Sequence, residues 1–111
     1  MRILYSLLSS TLRKAESQGA LGHENRISFF NHHTIPHVIC VEPWGEDYTL
    51  AANERFELVA YSSRLEPSFE LTNDGKDATQ VWCDEAETFE VTQAGNVLKC
   101  GHNRGLASSD A

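Results

Sequence analysis

The chain has few cysteines and no long hydrophobic run. Its 111 residues include three cysteines, Cys40, Cys83 and Cys100, and no two of them form a CxxC pair. An odd number of cysteines without that spacing does not predict a disulfide framework, and it favours reduced thiols in the cytoplasm. Because no apolar stretch approaches the roughly 20 residues that cross a bilayer, the sequence predicts no membrane-spanning segment.

Basic residues are also scarce, and they are unevenly spread. From Glu42 to Glu90 the chain has thirteen Asp or Glu and three Lys or Arg, a local charge of −10, whereas the rest carries +3. Contacts with phosphate require clustered Lys and Arg, so we expect no nucleic-acid partner. An acidic body is also repelled by anionic lipid, so we expect no membrane partner. Such acidity is typical of a solvated surface.

The N-terminal segment, residues 1–22, differs from the body in charge and in pattern. Its leucines recur at three- and four-residue spacing, which predicts a helix over residues 1–18 that packs on the body, forms a homodimer or remains an arm. The run MRILYSLLSS begins like a signal peptide. It is short, is interrupted by Ser6 and lacks a small-x-small cleavage site. We therefore predict a cytoplasmic location, with secretion as the alternative.

From Arg26 onward, apolar and polar residues alternate, and turn residues separate about seven short stretches. This period of two predicts strands, and the sequences NDGK at 73–76 and QAGN at 93–96 predict hairpin turns. No helix separates the strands, so we expect antiparallel pairing. The predicted fold is mainly β: an antiparallel β-sandwich or small open barrel over residues 23–104, with an N-terminal helix and a flexible tail over 105–111.

The inner face of this fold follows from the alternation. The apolar run from Val38 to Val41 predicts a strand that is buried on both faces. The predicted core residues are Ile27, Phe29, Val38, Cys40, Leu50, Phe56, Leu58, Ala60, Phe69, Leu71, Val81, Phe89, Val91 and Leu98.

Three histidines, His32, His33 and His37, lie just before that strand. Imidazole binds divalent transition metals, and Glu42 could supply a carboxylate, which together suggest a cupin-like site. Their spacing matches no recognised ligand signature, and neighbours on a strand face opposite sides. We expect no cofactor, with metal binding by these histidines as the alternative.

The most distinctive segment is VEPWGEDYTL at 41–50. Pro43 and Gly45 predict a bend at the end of a strand, which gathers Glu42, Trp44, Glu46 and Tyr48. Aromatic rings beside carboxylates could stack on a sugar or hold a cation, and two acids could share acid–base work. The alternative is that Trp44 caps the core while the acids face water. We predict a ligand-binding site at these four residues.

Cys100 and His102 raise two further possibilities. A blue-copper site is excluded, because it requires a second histidine and an axial methionine, and the chain has one methionine, Met1. A thiol enzyme would need Cys100 beside a histidine and an orienting carboxylate. This is a weaker alternative to a non-catalytic role.

The run VEPWGEDYTL, followed by AANERFELVA, resembles a group of small bacterial β-domain proteins in which an EPWG-type bend leads to a strand, a turn ending in Glu and a second strand. The resemblance covers roughly residues 38–61, and it implies a β-domain without an assigned activity. This chain differs at Ala52 and Asn53, where the pattern has a tighter turn. We predict that the protein is a non-catalytic binding or accessory module. Its expected partner is a second copy of the chain or another protein. The alternative function is a cupin-like protein that binds a metal or a small molecule.

Overall fold

The computed structural model describes residues 3–9, 22–73, 75 and 77–108 of the chain. Within them lie nine strands and one short helix, so the prediction of a mainly β fold is confirmed. The elements are β1 (Ile3–Ser9), β2 (His23–Asn31), β3 (His37–Glu42), β4 (Glu46–Leu50), β5 (Arg55–Ser62), β6 (Ser68–Asn73), β7 (Ala78–Asp84), β8 (Thr88–Gln93), β9 (Asn96–Val97) and α1 (Arg104–Ser108).

The strands form two sheets that face one core. The first sheet has the order β1-β2-β5-β8-β9, and the second has the order β4-β3-β7-β6. Buried apolar side chains come from both sheets, for example Phe29 and Phe56 from the first and Ile39 and Val81 from the second. Because successive side chains of a strand point to opposite faces, β3 and β7 contribute alternate residues to this core.

Most of the predicted core residues are confirmed, but β3 is not buried on both faces. Its side chains alternate between buried and half-buried. Ile39 and Val41 are in the core, whereas Val38 and Cys40 lie on the outer face, so their assignment to the core was wrong. Four apolar residues in a row contain no period-two signal, and the pairing of the strand decides which face is buried.

The expectation of purely antiparallel pairing is wrong at one place. β3 pairs with β7 in parallel, with Cys40 opposite Gln80 and Glu42 opposite Trp82. A parallel pair needs a long crossover, and here the chain supplies it by passing through β5 of the other sheet rather than through a helix. The two predicted hairpins are confirmed, because β6 pairs antiparallel with β7 and β8 with β9.

The N-terminal helix is not present where the structure describes the chain. Residues 3–9 form β1, which pairs antiparallel with β2 and places Leu7 opposite Ile27. The helix prediction is therefore wrong over 3–9, and its remainder at 1–2 and 10–18 lies outside the described residues. A sheet edge that offers free hydrogen-bonding groups can override a helical spacing of leucines, since propensity is a weak preference.

The predicted flexible tail at 105–111 is helical over 105–108, which belong to helix α1, and its remainder at 109–111 lies outside the described residues. Just before α1, His102 forms a bridge beside Tyr48 of β4. Cys40, Cys83 and Cys100 form no disulfide bond with one another, and the reduced state of these thiols stays a prediction. Across the described ranges, none of the helical structure has the length and apolar character needed to span a membrane.

Candidate ligand-binding cleft

A tight turn at residues 43–45 joins β3 to β4 and presents Trp44 at its tip. The Glu42–Pro43 peptide bond is cis, and Gly45 has a φ of 70°, a left-handed conformation that favours glycine. The amide of Gly45 donates a 2.9 Å hydrogen bond to the carbonyl of Val41, which closes the turn. The residues that predicted a bend therefore form one.

Trp44 packs on the opposite sheet. Its ring centroid lies 4.7 Å from that of Phe89 on β8, and the two ring planes are tilted by 43°. Trp44 nevertheless remains 36% exposed. The indole thus contacts the first sheet on one side while part of its surface stays open to a ligand. The expectation that it merely caps the core accounts for the contact but not for this exposure.

An open cleft of about 450 Å³ lies between the β3–β4 turn and the β8–β9 hairpin. Such a volume is within the range of small-molecule sites, roughly 300–1,000 Å³. Its walls combine aromatic, aliphatic and charged side chains from both sheets. The residues that line it are Trp44, Glu46, Tyr48, Thr88, Phe89, Glu90, Val91, Val97, Leu98, Lys99 and Cys100.

Glu46 and Tyr48 are held together in the cleft. They are two residues apart on β4 and therefore point to the same face, and the Tyr48 hydroxyl donates a 2.9 Å hydrogen bond to Oε1 of Glu46. Burial raises the pKa of Tyr48 above its ordinary value, and the hydrogen bond to Glu46 raises it further. The phenol stays protonated and fixes one carboxylate oxygen, while Oε2 of Glu46 makes no hydrogen bond to any described residue.

The chain beyond β9 closes one side of the cleft by attaching to β4. The amide of Gly101 donates to the carbonyl of Asp47 at 2.7 Å, and the amide of Thr49 donates to the carbonyl of His102 at 2.9 Å. Gly101 has a φ of 88°, and a Cβ there would lie 3.1 Å from the guanidinium of Arg104. Glycine at 101 therefore suits the left-handed backbone here and leaves room for the Arg104 guanidinium.

A bidentate ion pair secures the same segment. Nε of Arg104 donates to Oδ2 of Asp47 at 3.0 Å, and Nη2 donates to Oδ1. The hydrogen bonds from Arg104 hold the pKa of Asp47 below its ordinary value. The Sγ atom of Cys100 lies 3.8 Å from both groups, at Oδ1 of Asp47 and Nη2 of Arg104. No hydrogen bond joins Cys100 to His102, although the thiol-enzyme alternative requires that pair.

The charge balance of the cleft is negative. Its lining contains two carboxylates, Glu46 and Glu90, and one cation, Lys99. Oε1 of Glu90 accepts a 2.9 Å hydrogen bond from the hydroxyl of Tyr61, so each carboxylate has one oxygen fixed by a tyrosine. Asp47 lies next to this lining, but its charge is balanced by Arg104.

Of the four residues predicted to bind a ligand, three converge on the cleft. Trp44, Glu46 and Tyr48 line it, but Glu42 does not. Val41 points into the core, so its neighbour Glu42 points to the outer face of the second sheet. There Glu42 lies opposite Trp82 in the parallel register.

The three histidines before β3 occupy two environments. The rings of His32 and His33 are 4.8 Å apart, and His32 also stacks on Phe30. His37 is buried, and its Nε2 lies 2.8 Å from Oγ1 of Thr79. Over the part of the chain that the structure describes, no group of three or more His, Cys, Asp or Glu side chains is arranged to hold a metal ion. Metal binding by the three histidines stays a prediction.

The other wall of the cleft was not anticipated. Phe89 and Leu98 were expected in the core, and no sequence pattern indicated a role for Lys99 in a site. The QAGN turn did predict that 88–92 and the following residues form a hairpin, and β8 and β9 confirm it. Nothing local indicated that this hairpin would face the Trp44 turn, because that meeting depends on how the two sheets pack.

Comparison of the chain with protein-family models, curated proteins and solved structures found no match. The resemblance to bacterial proteins with an EPWG-type bend therefore stays a prediction. The case for a function depends on the cleft itself.

Proposed function

We propose that the protein is a non-catalytic β-sandwich module that binds a small organic amine in the cleft beside Trp44. The observation that carries this proposal is the indole of Trp44, which is 36% exposed, has its ring centroid 4.7 Å from that of Phe89, and lines the same cleft as the Glu46 carboxylate. Cations are attracted to the face of an indole, and a carboxylate beside it supplies a charge-assisted hydrogen bond.

The electrostatic surroundings support a positively charged ligand over a neutral one. Two carboxylates and one lysine line the cleft, and the segment from Glu42 to Glu90 carries a charge of −10. A potential of one sign over a concave surface raises the local concentration of the opposite charge. Lys99 lies in the same lining and would favour an amine that also carries a hydrogen-bond acceptor.

The surroundings of Cys100 support binding rather than catalysis. Activation of a thiol for nucleophilic attack requires a general base within hydrogen-bond reach. The contacts of Cys100 are instead with the carboxylate of Asp47 and the guanidinium of Arg104, and these two groups bind each other.

A matched pair of ligands tests the proposal. Phenethylamine and phenethyl alcohol have the same ring and differ in charge, and their binding can be followed by fluorescence in the Trp82→Phe variant, whose sole remaining tryptophan is Trp44. We expect saturable quenching with the amine at least about tenfold tighter than with the alcohol, the size of a cation–π and ion-pair contribution. Equal affinity for the two, or no binding of either, would contradict the proposal.

Two variants locate the binding. Trp44→Ala removes the indole, and Glu46→Gln removes a charge while keeping an acceptor for Tyr48. Both should weaken amine binding measured by calorimetry, and Glu46→Gln should leave the affinity for the alcohol unchanged. The control is Glu85→Gln, an exposed residue in the turn after β7, which should bind like the unmodified chain.

We also infer that the protein acts in the cytoplasm. The lack of a disulfide bond among the three cysteines supports this location, because thiols stay reduced there and pair in oxidising compartments. Fractionation of cells that express the full chain tests this inference, and recovery outside the cytoplasm would contradict it.

A further inference from the structure

The second sheet ends in an open edge at β6. Among the edge strands, β9 has two residues, and β4 is covered by the bridge to His102. β6 has six residues, pairs only with β7 within the described chain, and forms no other backbone hydrogen bond there. An uncovered edge strand presents unpaired amide and carbonyl groups to which another strand can be added.

The inner side of this edge is incompletely covered. Phe69 and Leu71 point toward the core and pack against it, but both are only partly buried. A strand added beside β6 would place its own inward side chains next to Phe69 and Leu71. Apolar side chains at these positions would complete the burial of the two residues.

The outer side of the same edge carries a row of three side chains. Glu70 on β6 lies opposite Trp82 on β7, and Trp82 lies opposite Glu42 on β3. Trp82 is 39% exposed although it belongs to an interior strand of the sheet. Neither Glu42 nor Glu70 forms an ion pair with a described residue. An exposed indole between two uncompensated carboxylates is suited to a basic side chain.

We propose that β6 binds an extended segment of a basic partner protein, which joins the second sheet as an additional strand. Alternate residues of the segment are apolar and cover Phe69 and Leu71. The residues between them are lysine or arginine and lie beside Glu70 and Trp82. Backbone hydrogen bonds supply affinity in this mode, and the alternate side chains supply specificity.

Charge selects a basic partner over a second copy of the chain. Each copy carries a net charge of −7, and pairing of two β6 strands would bring two acidic rows together, where like charges on facing strands are destabilising. β1, at the edge of the first sheet, contains no acidic residue. Of the edge strands β1 and β6, only β6 carries an acidic residue, Glu70.

The probe is a capped peptide of about seven residues, a typical strand length, that alternates lysine and valine. The matched control alternates glutamate and valine. We expect the lysine peptide to bind and to slow hydrogen exchange at the amides of Ser68–Asn73, as measured by heteronuclear NMR, and the glutamate peptide not to bind. Binding of the lysine peptide without protection of β6 amides would overturn the proposal.

Substitutions distinguish peptide binding at β6 from peptide binding in the cleft beside Trp44. Glu70→Lys should weaken the lysine peptide at least about tenfold, as expected for reversing a facing charge, whereas Glu85→Lys makes the same charge change in the turn after β7 and should have a smaller effect. Trp44→Ala should bind the peptide normally. Loss of binding in Trp44→Ala but not in Glu70→Lys would place the peptide in the cleft and overturn the proposal.

A final measurement tests whether a second copy of the chain occupies the β6 edge in the absence of peptide. In the unbound protein we expect the β6 amides that do not bond to β7 to exchange rapidly at every concentration, as measured by hydrogen-exchange NMR with sedimentation in parallel. A dimer that protects those amides would identify a second copy as the occupant of the edge and would overturn the assignment to a basic partner.

Discussion

Trp44 and Phe89 lie with their ring centroids 4.7 Å apart, although one belongs to a turn of the second sheet and the other to a strand of the first. This contact joins the two sheets at the mouth of the cleft. It also orients the indole that we propose as the binding surface. The two rings should therefore contribute to stability as a pair.

A double-mutant cycle measures that pair. The variants Trp44→Leu, Phe89→Leu and the double variant keep an apolar side chain at each position and remove the ring contact. We expect a coupling free energy of about 0.5–1.5 kcal/mol, the usual value for an aromatic pair, in urea denaturation followed by circular dichroism. Additive losses in the double variant would mean that the rings touch without stabilising each other.

Tyr48→Phe tests the hydrogen bond to Glu46. The variant keeps the buried ring and removes the donor, so we expect the free energy of unfolding to fall by about 1–2 kcal/mol. The folded-state pKa of Tyr48 is raised above 10.0, so its contribution is fully present below pH 10.0 and is lost as pH rises further. The variant should therefore lose stability less steeply in alkali, and an unchanged slope would contradict the assignment.

His37 should make stability depend on pH in the opposite direction. Burial lowers its pKa below 6.5, an effect that His33 reinforces and Asp77 opposes. The unfolded chain then binds the proton more readily, so the free energy of unfolding falls as pH drops below 6.5, by at most about 1.4 kcal/mol per pH unit for one proton. Denaturation of His37→Gln across this window should show a shallower slope, with His32→Gln, an exposed neighbour, as the control.

Arg104→Ala tests the ion pair that closes the cleft. Without the guanidinium, the pKa of Asp47 should rise toward its ordinary value of 3.8, as measured by carboxyl carbon NMR. The lowered pKa stabilises the fold above that value, and the contribution is lost as pH falls through the folded-state pKa. Arg104→Lys should restore only part of the shift, because lysine cannot form the bidentate pair. An unchanged pKa of Asp47 in Arg104→Ala would contradict the assignment of this shift to the ion pair.

Much of the local structure was predictable from the sequence. Alternation identified strands such as 69–72, and the sequence NDGK identified the turn between β6 and β7, since glycine at 75 adopts a φ of 81°. Pro43 and Gly45 likewise indicated the turn that carries Trp44. Each of these features depends on the conformational preferences of a few neighbouring residues.

Features that depend on distant partners were not predictable. The leucines of residues 3–9 fit a helix, but pairing with β2 makes them a strand. The apolar run from Val38 to Val41 does not show which of its side chains are buried. Only the register of this strand against β4 and β7 turns Ile39 inward. The parallel pairing of β3 and β7 also depends on a crossover through the other sheet, which no local pattern encodes.

The same division applies to the cleft. The sequence by itself determined that Trp44, Glu46 and Tyr48 share one bend, because proline and glycine fix that turn and a strand repeats every two residues. Only the tertiary structure brought Phe89, Glu90 and Lys99 to the opposite wall. Burial of one core between two sheets decides that placement, and it is a property of the whole fold rather than of any segment.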